Sequence, residues 1–141
     1  MNSENFRRTS EECALLSILV CGDRRWDDAQ LILNTLSKLN PKMKGTANYL
    51  SGMKLIVGGA RGADKITERL GRMFGANVQV FNAEWGKYGK AAGPIRNRKM
   101  LDENPNLVLA FHDDLAHSKG TLDTVSEAKR RGIKVQVVRH T

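Results

Sequence analysis

Five short apolar runs divide this chain, and each interval between them carries helical periodicity; an open parallel sheet is the architecture that this order most directly predicts. The runs are LSILVC (16–21), MKLIVGG (53–59), NVQVFN (77–82), NLVLAFH (106–112) and IKVQVVR (133–139). Three of them are continuously apolar, as strands covered on both faces are. Between the first two, Ala29, Ile32, Leu33 and Leu36 recur at helical spacing behind Asp27 or Asp28 as N-cap. Ala63, Ile66, Leu70 and Met73 share a face in the next interval, which Gly75 closes. Pro94 is read as the first residue of a third helix over 94–104. The fourth, 120–132, gathers Lys129, Arg130 and Arg131 in its last turn, where cations oppose the helix dipole. The expected fold is a single α/β domain, a doubly wound five-stranded parallel sheet with helices on both faces.

Composition narrows the function classes. The chain has 141 residues, 40% hydrophobic and 27% charged, which suits one folded domain. Residues 1–14 are polar and are read as a leader, with the domain proper over 15–141. No run approaches the roughly 18–20 apolar residues of a membrane span, and the first fifteen residues lack a signal peptide's apolar centre. The expectation is a cytoplasmic protein without a membrane partner. Cys13 and Cys21 are read as free thiols, in keeping with a reducing compartment. The 40–52 segment is expected to be a mobile loop on the side away from the ligand crevice. A formal net charge of +8 points to an anionic partner, whether nucleotide or nucleic acid.

In a doubly wound sheet the ligand lies outside the carboxyl ends of the strands, so the segments that follow the strands are the ones to read. GDRRWDD (22–28) places Gly22, Asp23 and Arg24 there. In GGARGAD (58–64), Gly58 and Gly59 turn off the strand, while Gly62 leaves room for an anion at a helix start. Arg61 and Asp64 flank that turn; the competing reading is a glycine turn that merely connects strand to helix. The segment 85–99, WGKYGKAAGPIRNRK, holds Lys87, Lys90, Arg96, Arg98 and Lys99 without an acid, and Trp85 and Tyr88 stand among them. Its glycines predict a flexible loop that closes over a ligand, its aromatics a surface for a base. The alternative is a solvated basic loop with Trp85 packed on the core. Arg96 is the cation placed to point into the crevice, with Asn97 beside it. SKGTLDT (118–124) repeats the arrangement: Ser118, Lys119, Gly120 and Thr121 offer donors at another helix start, and Asp123 is assigned to its first turn, with helix capping as the plainer role.

No cofactor is required by these patterns. Asp113 and Asp114 could hold Mg2+, against the plainer reading of a solvated turn. His112 and His117 lack zinc spacing, no GxSxG elbow occurs, and His140 is read as solvated.

Taken together, ILVCGDRRWDD, LIVGGARGAD, VFNAEWGKYGKAAGPIRNRKML, LVLAFHDDL and SKGTLDT resemble the small YspA-like branch of the SLOG superfamily, which also contains the Lonely Guy phosphoribohydrolases and the DNA-processing protein DprA. The resemblance runs from about residue 16 to 138. It implies a Rossmann-like sheet, a nucleotide-derived small-molecule ligand, a homodimer or higher homo-oligomer, and a bacterial or phage origin. In Lonely Guy enzymes an arginine four residues before a methionine and a PGGxGTxEE loop form the site. Arg96 with Met100 is similar to the former, and SKGTLDT to the latter. Arg96 would then hold the phosphoribosyl group, and Asp123 would stabilise an oxocarbenium-like ribose and activate water. Ser118 and Lys119 replace the glycine pair, and Thr124 stands at the second glutamate; binding survives such changes more easily than turnover. The expected function is nucleotide binding as sensor, sequestering protein or N-glycosidic hydrolase. The alternative is a DprA-like single-stranded nucleic-acid binder.

Overall fold

Alternation of side chains along the central apolar runs decides how the layers stack. Ile18, Val20, Leu55, Val57, Leu109 and Phe111 point to one side of the sheet, and Leu19, Cys21, Ile56, Val108 and Ala110 to the other. Both sets are buried, so neither face can meet water and each must be covered by helices. The computed structural model describes residues 16–39 and 49–140. The leader, Cys13 and positions 40–48 of the proposed loop lie outside the described residues.

The strands are β1 (Leu16–Gly22), β2 (Met53–Val57), β3 (Asn77–Val80), β4 (Leu107–Phe111) and β5 (Val135–Val138). They form one all-parallel sheet in the order β3-β2-β1-β4-β5. Helices α1 (Ala29–Ser37) and α2 (Ala63–Met73) cover the first face. Helices α4 (Ala92–Leu101) and α5 (Lys119–Arg130) cover the second, where Met100, Leu101, Val125 and Ala128 pack. A short helix α3 (Trp85–Tyr88) and a 3-10 turn (Gly89–Ala91) lead into α4. The expected fold class is therefore observed. Because the chain moves outward from β1 to β3 and then crosses back to β4, strand order reverses between β1 and β4. The connections leaving these two neighbours diverge there, and a crevice opens at their carboxyl ends. Among the described residues no helix is long and apolar enough to cross a membrane.

Local signals explain most boundaries. Asp28 caps α1 by accepting from the Leu31 N–H at 3.0 Å, and Gly75, at φ 88°, ends the α2 turn as the sequence predicts. Two expectations need correction. Pro94 is the third residue of α4, not the first, because the 3-10 turn already delivers helical backbone at Ala92. The glycine-rich stretch before it is likewise not a flexible loop: α3 and the 3-10 turn hydrogen-bond residues 85–91 into successive turns.

Candidate functional site

The β1–α1 connection must pass over the start of α2 at backbone contact distance. A Cβ on Gly22 would lie 2.4 Å from the Phe111 carbonyl oxygen, and one on Gly62 2.2 Å from the Asp23 carbonyl oxygen. Gly62 also has φ +76°, so its backbone and its surroundings both require glycine. This close approach lets the Asp23 carbonyl accept the Ala63 N–H at 3.1 Å. The carboxylate of Asp64 folds back on its own turn, accepting from Ala60 N–H at 3.2 Å and from Gly58 N–H. Much of the GGARGAD turn is thus satisfied by the protein itself.

The start of α5 is different. Ser118 is the N-cap, its hydroxyl accepting from Thr121 N–H at 3.3 Å. Among the described residues the N–H groups of Lys119 and Gly120 have no protein partner, and no Cβ neighbour lies within 4 Å of Gly120. These donors face a cleft of about 620 Å³ over the β1/β4 junction. Gly22, Asp23, Arg24, Asp64, Arg96 and Asn97 join Ser118, Lys119, Gly120 and Thr121 around it. A second chamber of about 380 Å³ adjoins it, sharing Arg24 and Arg96 and containing Gly58, Gly59, Arg61 and Trp85. Trp85 is 53% exposed, with one ring edge against Gly93. Gly62 lines neither chamber but borders a separate groove. Lys90 is exposed on the 3-10 turn and lines neither chamber.

A polar relay crosses the floor of the cleft. Asp64 is only 7% exposed, and burial pushes its carboxyl up to about 6, opposed by the two N–H donors and the Arg96 charge. Burial pulls the Arg96 guanidinium down, opposed by the Asp64 charge. Arg96 spends Nη1 on the carbonyls of Gly58 and, at 3.4 Å, Phe81, and Nε on Asn97 Oδ1 at 2.9 Å. Buried Asn97 then donates Nδ2 to Asp123 at 3.0 Å and to the Gly120 carbonyl at 3.4 Å. Arg98 also reaches Asp123, at 3.3 Å. Asp123 therefore stands behind Asn97 and does not line the cleft; the buried carboxylate that does is Asp64. Asp123 is also in the second turn of α5, one turn later than the sequence suggests. Beneath the relay Cys21 is a free thiol whose ionisation burial disfavours first and the Asp64 charge second.

Sequence reasoning passed over His112 and Asn82. His112 lines the cleft, and its Nδ1 accepts from Asp114 N–H at 2.9 Å, which assigns the proton of the neutral ring to Nε2. Its position directly after β4 was the available signal. Asn82, at the end of the third apolar run, lines the second chamber beside Gly59. His140 is not merely solvated: it stacks on Trp26 with centroids 4.4 Å apart and bridges Asp113 and Asp28 at 2.7 and 3.0 Å. Asp114 pairs with His117 at 2.7 Å. Among the described residues no group of three or more His, Cys, Asp or Glu could hold a metal ion.

A family model described as the YspA, cpYpsA-related SLOG family matches residues 16–88. The Gene 61 protein of Mycobacterium phage D29 is 34% identical over 123 residues, covering 84% of this chain and 92% of that protein. Among solved structures, DNA processing protein A (DprA) from Streptococcus pneumoniae aligns with TM-score 0.64 at 15% identity, over 92% of this chain. That alignment covers 52% of the pneumococcal chain, and at this identity the likeness is one of fold.

Proposed function

Since this chain belongs to the YspA, cpYpsA-related SLOG family, whose fold suggests nucleotide or nucleic-acid binding, we propose that its cleft binds a nucleotide-derived small molecule. The observation that carries this reading is the open start of α5 facing a 620 Å³ cleft that also holds Arg24, Lys119 and a buried carboxylate. A phosphate fits the free N–H groups of Lys119 and Gly120, where the helix dipole is positive, with the Lys119 and Arg24 side chains neutralising its charge. The second chamber then takes the base, against the exposed face of Trp85 and the amide of Asn82. Arg96 commits Nη1 to the Gly58 and Phe81 carbonyls and Nε to Asn97, so its role is to hold the two chambers in register and to keep positive potential beside the ribose.

The reaction this arrangement best supports is hydrolysis of an N-glycosidic bond. Water attacks the anomeric carbon, the C–N bond breaks, and the base leaves with the bonding pair and takes a proton. Asp64, titrating near 6, can lend or accept that proton close to neutral pH. Asp123 acts through Asn97 as a positioning residue. A sensor or sequestering protein would use the same contacts without the bond-breaking step.

Thermal shift against AMP, ADP-ribose, NAD and cyclic nucleotides tests the binding. A ligand at about a hundred times its Kd stabilises by roughly 2.7 kcal/mol. A shift with a nucleotide that is lost in Arg96→Ala and Lys119→Ala supports the site, and no shift with any of them overturns it. Chromatography of the shifted ligand for free base then separates hydrolase from sensor, with Asp64→Asn expected to bind but not to release base.

A further inference from the structure

Arg24, Arg25, Arg61, Lys65 and Arg69 line a groove of about 580 Å³ between the β1–α1 connection and α2. Asp27 is its one acid, and the half-buried Ile66 and Leu70 contribute apolar surface between the cations, with the buried Trp26 beneath. On the α4/α5 face Arg98, Arg130 and Arg131 are tied to Asp123, Glu127 and Asp102. Among the described residues Arg25, Arg61 and Arg69 have no ion-pair partner, and Lys65 meets only Glu68, at 3.5 Å. Unpaired like charges facing one another raise the energy of the free protein, and a polyanion relieves that repulsion.

The layout favours an extended polyanion over a point charge. Lys65 and Arg69 are one turn apart on α2, about 6 Å along its axis. Arg61 continues the row beyond the helix start, and Arg24 and Arg25 stand on the other bank. Four of the five are arginines, whose planar forks suit phosphate oxygens. Apolar surface between rows of cations suits unpaired bases, which a duplex would keep stacked inside. We infer that this groove, which shares Arg24 and Arg25 with the cleft and Arg61 with the second chamber, binds the backbone of single-stranded nucleic acid.

The test is fluorescence anisotropy of the whole protein with a labelled oligo-dT of about 12 nucleotides, between 50 and 200 mM salt. Four or five phosphate contacts predict a log–log salt slope of about −3, a loss of roughly sixty-fold over that range. Lys65 and Arg69 line the groove and neither chamber. K65E/R69E should therefore weaken strand binding at least tenfold while leaving any nucleotide-induced thermal shift in place. The milder K65A/R69A should flatten the slope by about 1.4, and both substitutions are exposed enough to keep the fold, read by circular dichroism. No binding at low salt, an unchanged affinity in K65E/R69E, or equal affinity for duplex DNA or poly-glutamate would overturn the inference.

Discussion

Helices α2 and α5 both begin at the carboxyl edge of the sheet with a glycine at or next to the start, yet backbone packs over one start and leaves the other open. At α2, the Asp23 carbonyl takes the Ala63 N–H, Asp64 takes those of Ala60 and Gly58, and the backbone of Arg24 lies against Gly62. At α5, Ser118 caps only the Thr121 N–H, and Gly120 faces space. Two similar stretches of sequence therefore have different duties. The filled start locks the β1–α1 connection over the sheet and buries an acid; the open one leaves donors and positive potential for a ligand.

Exchanging the glycines should break this contrast most visibly. Gly62→Ala puts a methyl group into the Asp23 and Arg24 backbone at a positive φ, and should cost about 3 kcal/mol or more in a urea titration. A loss below about 1 kcal/mol would mean that the β1–α1 connection is free to move away, and α2 would then not be closed.

Next in size is the effect of pH on Asp64. Its folded pKa, about 6, lies above the ordinary carboxylate range, so the folded state holds the proton more tightly than the unfolded chain does. The contribution to stability is full below about pH 4 and is lost as pH rises through 6, on the order of 3 kcal/mol. Asp64→Asn cannot ionise, so it should be more stable than the parent at neutral pH, with the advantage gone by about pH 4. Parallel stability curves for the two proteins would show that Asp64 is not desolvated by the closed turn. A variant that gains stability and loses function is the behaviour expected of a binding or catalytic site.

Smaller effects belong to α5. Ser118→Ala removes the cap, worth about 1 kcal/mol, and should also weaken nucleotide binding. Gly120→Ala meets nothing in the fold and should change stability by no more than about 1 kcal/mol, with a sign set by helix propensity. Its methyl group enters the cleft, so a loss of nucleotide affinity without a loss of stability would locate the ligand at this start. A large destabilisation would instead show that the α5 start is packed and not open.

The same contrast shows which parts of this protein can be read one segment at a time. Strand order in the chain, the two-sided burial of β1, β2 and β4 and the placement of most helices follow from local patterns, because a continuous apolar run or a 3.6-residue period is a property of the segment itself. The basic stretch 85–91 is not the flexible loop that its glycines predict, because hydrogen bonding within successive turns makes it helical. Arg96 and the 118–121 turn were legible as cleft residues because both follow strands at the ligand edge. The position of Asp123 was not, since a carboxylate near a helix start can face outward to a ligand or sideways to a neighbour. Asn97, reaching over from α4, decides that question.

By itself, then, the sequence determined the five strands, the covering helices, the sheet edge at which the cleft opens and the excess of positive charge. Only the tertiary structure decided which helix start is filled, which acid is buried in the cleft and which arginines remain unpaired. The physical reason is that a hydrogen-bond donor or a charge is free or satisfied according to what another part of the chain brings within about 3 Å of it, and no local pattern carries that information.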